Sequence, residues 1–196
     1  GGPFLKPGVT ERRTRFDLRL IYPYCGVYGD PLLEADADPL PPGLLSRLSR
    51  TGVNGVWLQV PLYALTPWHI APELSAGHEQ RLEKLRRLIA RAAGFGIGVY
   101  LYCNEPRALP LRYFENNPAL RAWQGARQAN LGVATLCTSQ PGVLDLLRES
   151  VAQLFQAAPE LAGLFTITMS ENPTHCRSRH VPAEDECPRC RDRSVA

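Results

Sequence analysis

The chain has 196 residues, 44% of them hydrophobic, and a formal net charge of +3. That is enough apolar material for one sizeable core without a second domain. The charge is too mild, and the basic residues too dispersed, to suit nucleic acid or an anionic membrane surface. No apolar run approaches the roughly 18 residues of a membrane span.

The chain opens on Gly1-Gly2-Pro3, with no methionine and no charged-then-apolar leader. This leaves room for a missing upstream part and constrains the compartment only weakly. Residues 1–15 read as an irregular lead-in. Asp17 to Pro23 is the first expected strand, rich in branched and aromatic residues and closed by a proline. Tyr22, Tyr24, Tyr28 and Asp30 cluster at its end. Residues 31–42 are proline-rich and acidic, a loop, and Pro42 then sits where a helix can start. Leu44, Leu45 and Leu48 give that helix a short apolar stripe, ending at Gly52.

Gly55 to Val60 reads as a second strand, followed by a long loop with Tyr63, Trp68 and His69. Residues 78–93 carry the clearest helical pattern of the chain. Leu82, Leu85, Leu88, Ile89 and Ala92 recur on one face at helical spacing, with Gly94 as the stop. Ile97 to Cys103 is almost wholly apolar, as a strand buried on both faces of a parallel sheet would be. A loop and a short helix over 111–123 follow, and Val133 to Cys137 is a short strand or an extended loop. A second amphipathic helix opens at Pro141, with Leu144, Leu147, Val151, Leu154 and Phe155 turned inward. Leu161 to Met169 is the last expected strand.

Three helix-to-strand joins share a glycine-bearing turn: residues 51–58, 94–101 and 159–166. Strand and helix alternate throughout, which implies right-handed βαβ units around a parallel sheet. A complete eight-stranded barrel takes about 250 residues, and the pattern yields about four strands. The expectation is therefore an α/β fold resembling a TIM barrel, as a half or partial barrel. It forms a single domain over 1–196, with βα units over 16–172 and a Cys/His tail over 173–196.

In such folds chemistry sits at the carboxyl ends of the strands. The last strand runs into Ser170-Glu171-Asn172, and the strand before it runs into Asn104-Glu105-Pro106-Arg107. Glu171 is the leading catalytic candidate and Glu105 its expected partner, provided that their strands are neighbours. Two carboxyl groups facing one pocket could serve as an acid–base pair. The bland alternative has Glu105 pairing with Arg107 and only fixing its loop. Tyr22, Tyr24, Trp57, Trp68 and Tyr102 lie near the same ends and could stack on sugar rings. Asn104, Asn172 and Asp30 could bind hydroxyls.

Six cysteines divide into two groups. Cys25, Cys103 and Cys137 sit singly in apolar or strand-end contexts and read as small hydrophobes. Cys176, Cys187 and Cys190 cluster in the polar tail, where Cys-x-x-Cys suggests a metal in a reducing, cytoplasmic setting. With His180 as a fourth ligand the spacing suits a structural Cys3His zinc site, and His175 is the less comfortable choice. A disulfide plus a free thiol, or three free thiols, would be the alternatives.

The stretch from Leu136-Cys-Thr-Ser-Gln-Pro141 through Phe165-Thr-Ile-Thr-Met-Ser-Glu-Asn172, preceded by the strand Gly96-Ile-Gly-Val-Tyr-Leu-Tyr-Cys-Asn-Glu-Pro106, resembles family 20 glycoside hydrolases, the β-hexosaminidases. The likeness spans residues 50–175 and lies in order and spacing. It implies that Glu171 is the general acid of a barrel glycosidase with a carbohydrate substrate. The family's aspartate, which orients the substrate's acetamido group, falls on Ser170, a serine that cannot stabilise a developing oxazolinium charge. Either that mechanism is absent or another carboxylate supplies it. Against the enzyme stands a non-catalytic carbohydrate-binding or interaction module with a structural zinc. An open barrel edge is a liability, so a homodimer covering it is expected in either case.

Overall fold

Three of the four parallel strands begin just after a helix has ended, and a glycine marks each join. A computed structural model describes residues 13–22, 29–122, 132–167, 174–176, 187 and 189–193. Its strands and helices run β1 (Leu20–Ile21), α1 (Pro42–Arg50), β2 (Gly55–Gln59), α2 (His78–Ala93), β3 (Gly98–Tyr102), β4 (Leu109–Pro110), β5 (Val133–Ala134), α3 (Pro141–Ala157) and β6 (Gly163–Phe165).

Four strands form one sheet in the order β1-β2-β3-β6, all parallel. Each new strand is laid beside the one before it, with no reversal of direction. A doubly wound sheet would reverse at a switch point, whereas sequential addition is how a barrel wall grows. The fold is thus α/β, a four-stranded parallel sheet in the order of a partial barrel. Right-handed crossovers put the connecting helices on one face. That face is the core: Val56, Leu58, Val99 and Leu101 are buried there with Leu45 of α1, Leu82, Leu85, Leu88 and Ile89 of α2, and Val143, Leu146 and Leu154 of α3. Burying one such side chain contributes about 1.5–3 kcal/mol.

The opposite face is aromatic. Tyr22 follows β1, Trp57 is in register with Tyr100, and Tyr102 with Phe165. Gly55, Gly98 and Gly163 start β2, β3 and β6, and a Cβ on any of them would come within 3.2–3.5 Å of the Tyr100 ring. The recurring glycines of the sequence therefore leave room for one tyrosine. At Gly98 the added carbon would also stand 2.8 Å from Cβ of Ala162, closer than carbon atoms pack.

The charged face of α2 holds the loop after β1. Arg81 Nε donates to Asp30 Oδ2 at 2.7 Å, Lys84 Nζ to the carbonyls of Glu34 and Ala37, and Arg91 to Asp38 and the Leu40 carbonyl. Asp30 is occupied in this way, and its carboxylate also accepts from the backbone of Leu32 and Leu33.

Two expectations about helices need correction. The short helix over 111–123 is instead two 3₁₀ turns, Leu111–Phe114 and Pro118–Leu120, because a residue before proline, here Asn117, is pushed out of the helical region. Leu144 of α3 does not turn inward but is 45% exposed, and the buried positions are Val143, Leu146, Ser150 and Leu154. Ser150 is accommodated at a buried position because its hydroxyl accepts from Trp68 Nε1 at 2.9 Å and donates to the Leu146 carbonyl. Val133 to Cys137 resolves into a short antiparallel ribbon: β5 pairs with β4, and Leu136 bridges Arg121. Among the described residues no helix is long and apolar enough to cross a membrane.

Candidate functional site

A cleft of about 310 Å³ opens at the carboxyl ends of β1, β2 and β3. Gly29 borders it from the loop after β1. Gln59, Val60, Pro61 and Tyr63 border it from the end of β2, and Tyr102, Asn104, Glu105 and Arg107 from the end of β3. Gly29 has φ +71°, a backbone conformation that calls for glycine.

Glu105 is held on both sides. Its Oε1 accepts the Leu62 N–H at 2.7 Å and its Oε2 the Arg107 N–H at 2.8 Å. Leu62 opens the 3₁₀ turn Leu62–Ala64, so the carboxylate caps that turn and ties the loop after β2 to the loop after β3. Burial pushes the carboxyl up to about 7, against the opposing pull of the two N–H groups and the nearby Arg107 charge. Two neighbours feel the same environment. The Cys103 thiol is pushed up to about 12 by burial, with Glu105 adding to it, and the Tyr63 phenol is raised by burial while Arg107 opposes.

Aromatic rings line the sheet beside the cleft. Tyr22 stacks on Trp57 with centroids 3.8 Å apart and planes at 10°. Trp57 meets Tyr102 edge-on at 5.4 Å and Phe165 at 5.2 Å, and Tyr102 stacks on Phe165. The structure thus brings Tyr22, Trp57, Tyr102, Asn104 and Glu105 to one end of the sheet. Phe165 joins them unforeseen, although its alternation with Leu164 along β6 would have placed it on the Trp57 face. Trp68 does not belong. It is fully buried in the core with its indole N–H on Ser150, because the loop after β2 folds inward.

β3 and β6 are neighbours, Tyr102 opposite Phe165, which meets the condition set for pairing Glu105 with Glu171. Glu171, Ser170, Asn172 and Tyr24 lie outside the described residues, as does His180. A wider depression of about 830 Å³ at the start of α2 is a surface feature, bordered by exposed His69 and Glu149.

The thiols converge elsewhere. The sulfurs of Cys137, Cys176, Cys187 and Cys190 all lie within 4.8 Å of one another and could hold a metal ion. Cys137 Sγ is 3.7 Å from that of Cys190 and 4.0 Å from that of Cys187. Burial raises the Cys137 and Cys176 thiols when no ion is counted. Cys137 is a correction: read in sequence as an isolated small hydrophobe, it stands in the cluster because the backbone of 135–137 pairs with that of 120–122. The Cys137 N–H reaches the Leu120 carbonyl at 2.8 Å, and that of Ala122 the Thr135 carbonyl at 2.9 Å. No local spacing signals it.

Neither a family model nor a curated protein matches the sequence. Among solved structures, the chain is similar to a GH5_18 protein from Bifidobacterium longum in complex with Manb1-4GlcNAc, at 16% identity and TM-score 0.48, over 76% of this chain and 32% of that one. It is also similar to a GH36 alpha-galactosidase from Geobacillus stearothermophilus in complex with stachyose, again at 16% and 0.48, over 88% of this chain and 24% of that one. Neither is a family 20 protein, and the chain spans a third or less of the length of each.

Proposed function

We propose that the chain is a carbohydrate-active domain of the glycoside hydrolase kind, with its sugar site in the cleft at the carboxyl ends of β1–β3. The observation that carries this reading is one cleft that combines a carboxyl group near pKa 7 with an adjoining aromatic surface. A carboxyl that titrates near neutral pH suits the proton-transfer partner of a second carboxyl group, and flat rings are what sugar faces stack on. Glu171 is the general acid in this reading and Glu105 its partner. Asn104, Asn172, Ser170, Tyr22, Tyr24, Trp57 and Tyr102 contact the sugar.

Hydrolysis of a panel of chromogenic glycosides tests it. Glu171→Gln is expected to lower kcat by roughly 10²–10⁴-fold while leaving sugar binding in place. Turnover that Glu171→Gln leaves untouched would overturn the assignment.

One observation favours a second reading, a binding module without catalysis. Both Glu105 oxygens accept backbone N–H groups, so its work is in part to shape the loops. That module would bind glycans through Trp57 and Tyr102 and hydrolyse none.

Zinc, in a structural role, is the metal proposed for the thiol cluster. A second copy of the chain is the partner proposed for the open edges of the sheet.

A further inference from the structure

A zinc ion bound by thiolates sits about 2.3 Å from each sulfur in a tetrahedron, which by geometry sets the sulfurs about 3.8 Å apart. The 3.7 Å and 4.0 Å separations around Cys137 match that spacing, and all four sulfurs stay within 4.8 Å. A disulfide would need about 2.05 Å, and none of these four cysteines is disulfide-bonded. Cys137, Cys187 and Cys190 are almost wholly buried, with Ala122 closing the cluster.

The surroundings are built for such a centre. Cys187 and Cys190 face the same point because a tight turn joins them, with the N–H groups of Cys190 and Arg191 both on the Cys187 carbonyl. The Ser139 hydroxyl lies 3.1 Å from Cys190 Sγ, and a thiolate at that position can only accept from it. The Arg189 guanidinium donates to the carbonyls of Ala119 and Arg121, holding the turn against the ribbon.

We propose that Cys137, Cys176, Cys187 and Cys190 form a closed four-thiolate zinc centre, with Cys137 rather than His180 as the fourth ligand. The centre fastens the tail and the segment after β6 to the ribbon that leads into α3. On binding, the four thiols release their protons to solvent and the four sulfurs fill the coordination shell. No position is left for water or substrate, so the role is structural. The Ser139 hydroxyl offsets part of the thiolate charge.

This inference rests on the zinc reading above, and the experiment separates the two. Native mass spectrometry with elemental analysis of the purified chain is expected to give one zinc per chain. Replacement by cobalt is expected to give the absorption bands of a tetrahedral four-thiolate site, unchanged in His180→Ala. Cys137→Ser is expected to weaken zinc binding by more than tenfold, and Ser139→Ala by about tenfold, the usual scale of an outer hydrogen bond. A cobalt spectrum with three sulfurs and one nitrogen, lost in His180→Ala, would overturn the ligand set while keeping zinc. A folded, metal-free chain with four reactive thiols would overturn both. The cobalt spectrum is read on the unaltered chain, so it decides the ligand set even if Cys137→Ser fails to fold.

Discussion

At the scale of single residues, Glu105 and Ser150 are the most informative. The Glu105 carboxyl has a folded value near 7 against an ordinary 4.5. The folded chain therefore binds more protons between those values than the unfolded one, and stability falls as pH rises across that window. Urea titrations at a series of pH values should show a loss of roughly 1–3 kcal/mol between pH 4.5 and 7. Glu105→Gln should flatten that slope while lowering stability at acid pH, since an amide cannot accept from both Leu62 and Arg107. An unchanged slope would mean that another group is titrating. Ser150 supplies the only described partner of the buried Trp68 indole N–H. Its replacement by alanine strands that donor, and a loss of about 1–3 kcal/mol is expected in thermal or denaturant unfolding.

At the scale of elements, the starts of the strands matter most. Gly98→Val should destabilise by about 1–3 kcal/mol, because its side chain would be forced against Ala162 and Tyr100. On α3, Leu144→Ser should be nearly neutral, whereas Leu146→Ala should cost about 2–5 kcal/mol. The reverse ranking in denaturant titrations would mean that α3 packs with the other face inward. The α2 helix was fully legible in sequence, its five buried residues being those at helical spacing. The phase of α3 was not, because a polar serine holds a core position through a bond to a tryptophan far away in the chain.

At the scale of the whole molecule, a parallel sheet in sequential order leaves unpaired edges on β1 and β6 among the described residues. An edge of this kind invites pairing with another chain. Sedimentation across a concentration series is expected to show a reversible dimer, and a monomer at every concentration would remove the proposed partner. With the proposed zinc in the thiol cluster, chelation should loosen the tail first. Hydrogen exchange should then rise around 132–139 and 174–193 while α2 keeps its protection, since the thiol cluster is separate from the main core.

The sequence by itself determined what is local. Apolar spacing defined the helices, the wholly apolar 97–103 run marked a central strand, and recurring glycines marked where strands begin. It also carried the promise of a site, through carboxylates placed just after strands. Only the tertiary structure decided what converges through space. It set β3 beside β6, drew Trp68 into the core, and committed both Glu105 oxygens to backbone. It also brought Cys137 to three thiols far along the chain. Periodicity records which face of an element is buried, because that burial repeats every turn. A thiol cluster gathered from three separate stretches repeats nowhere, and so leaves no mark in the order of residues.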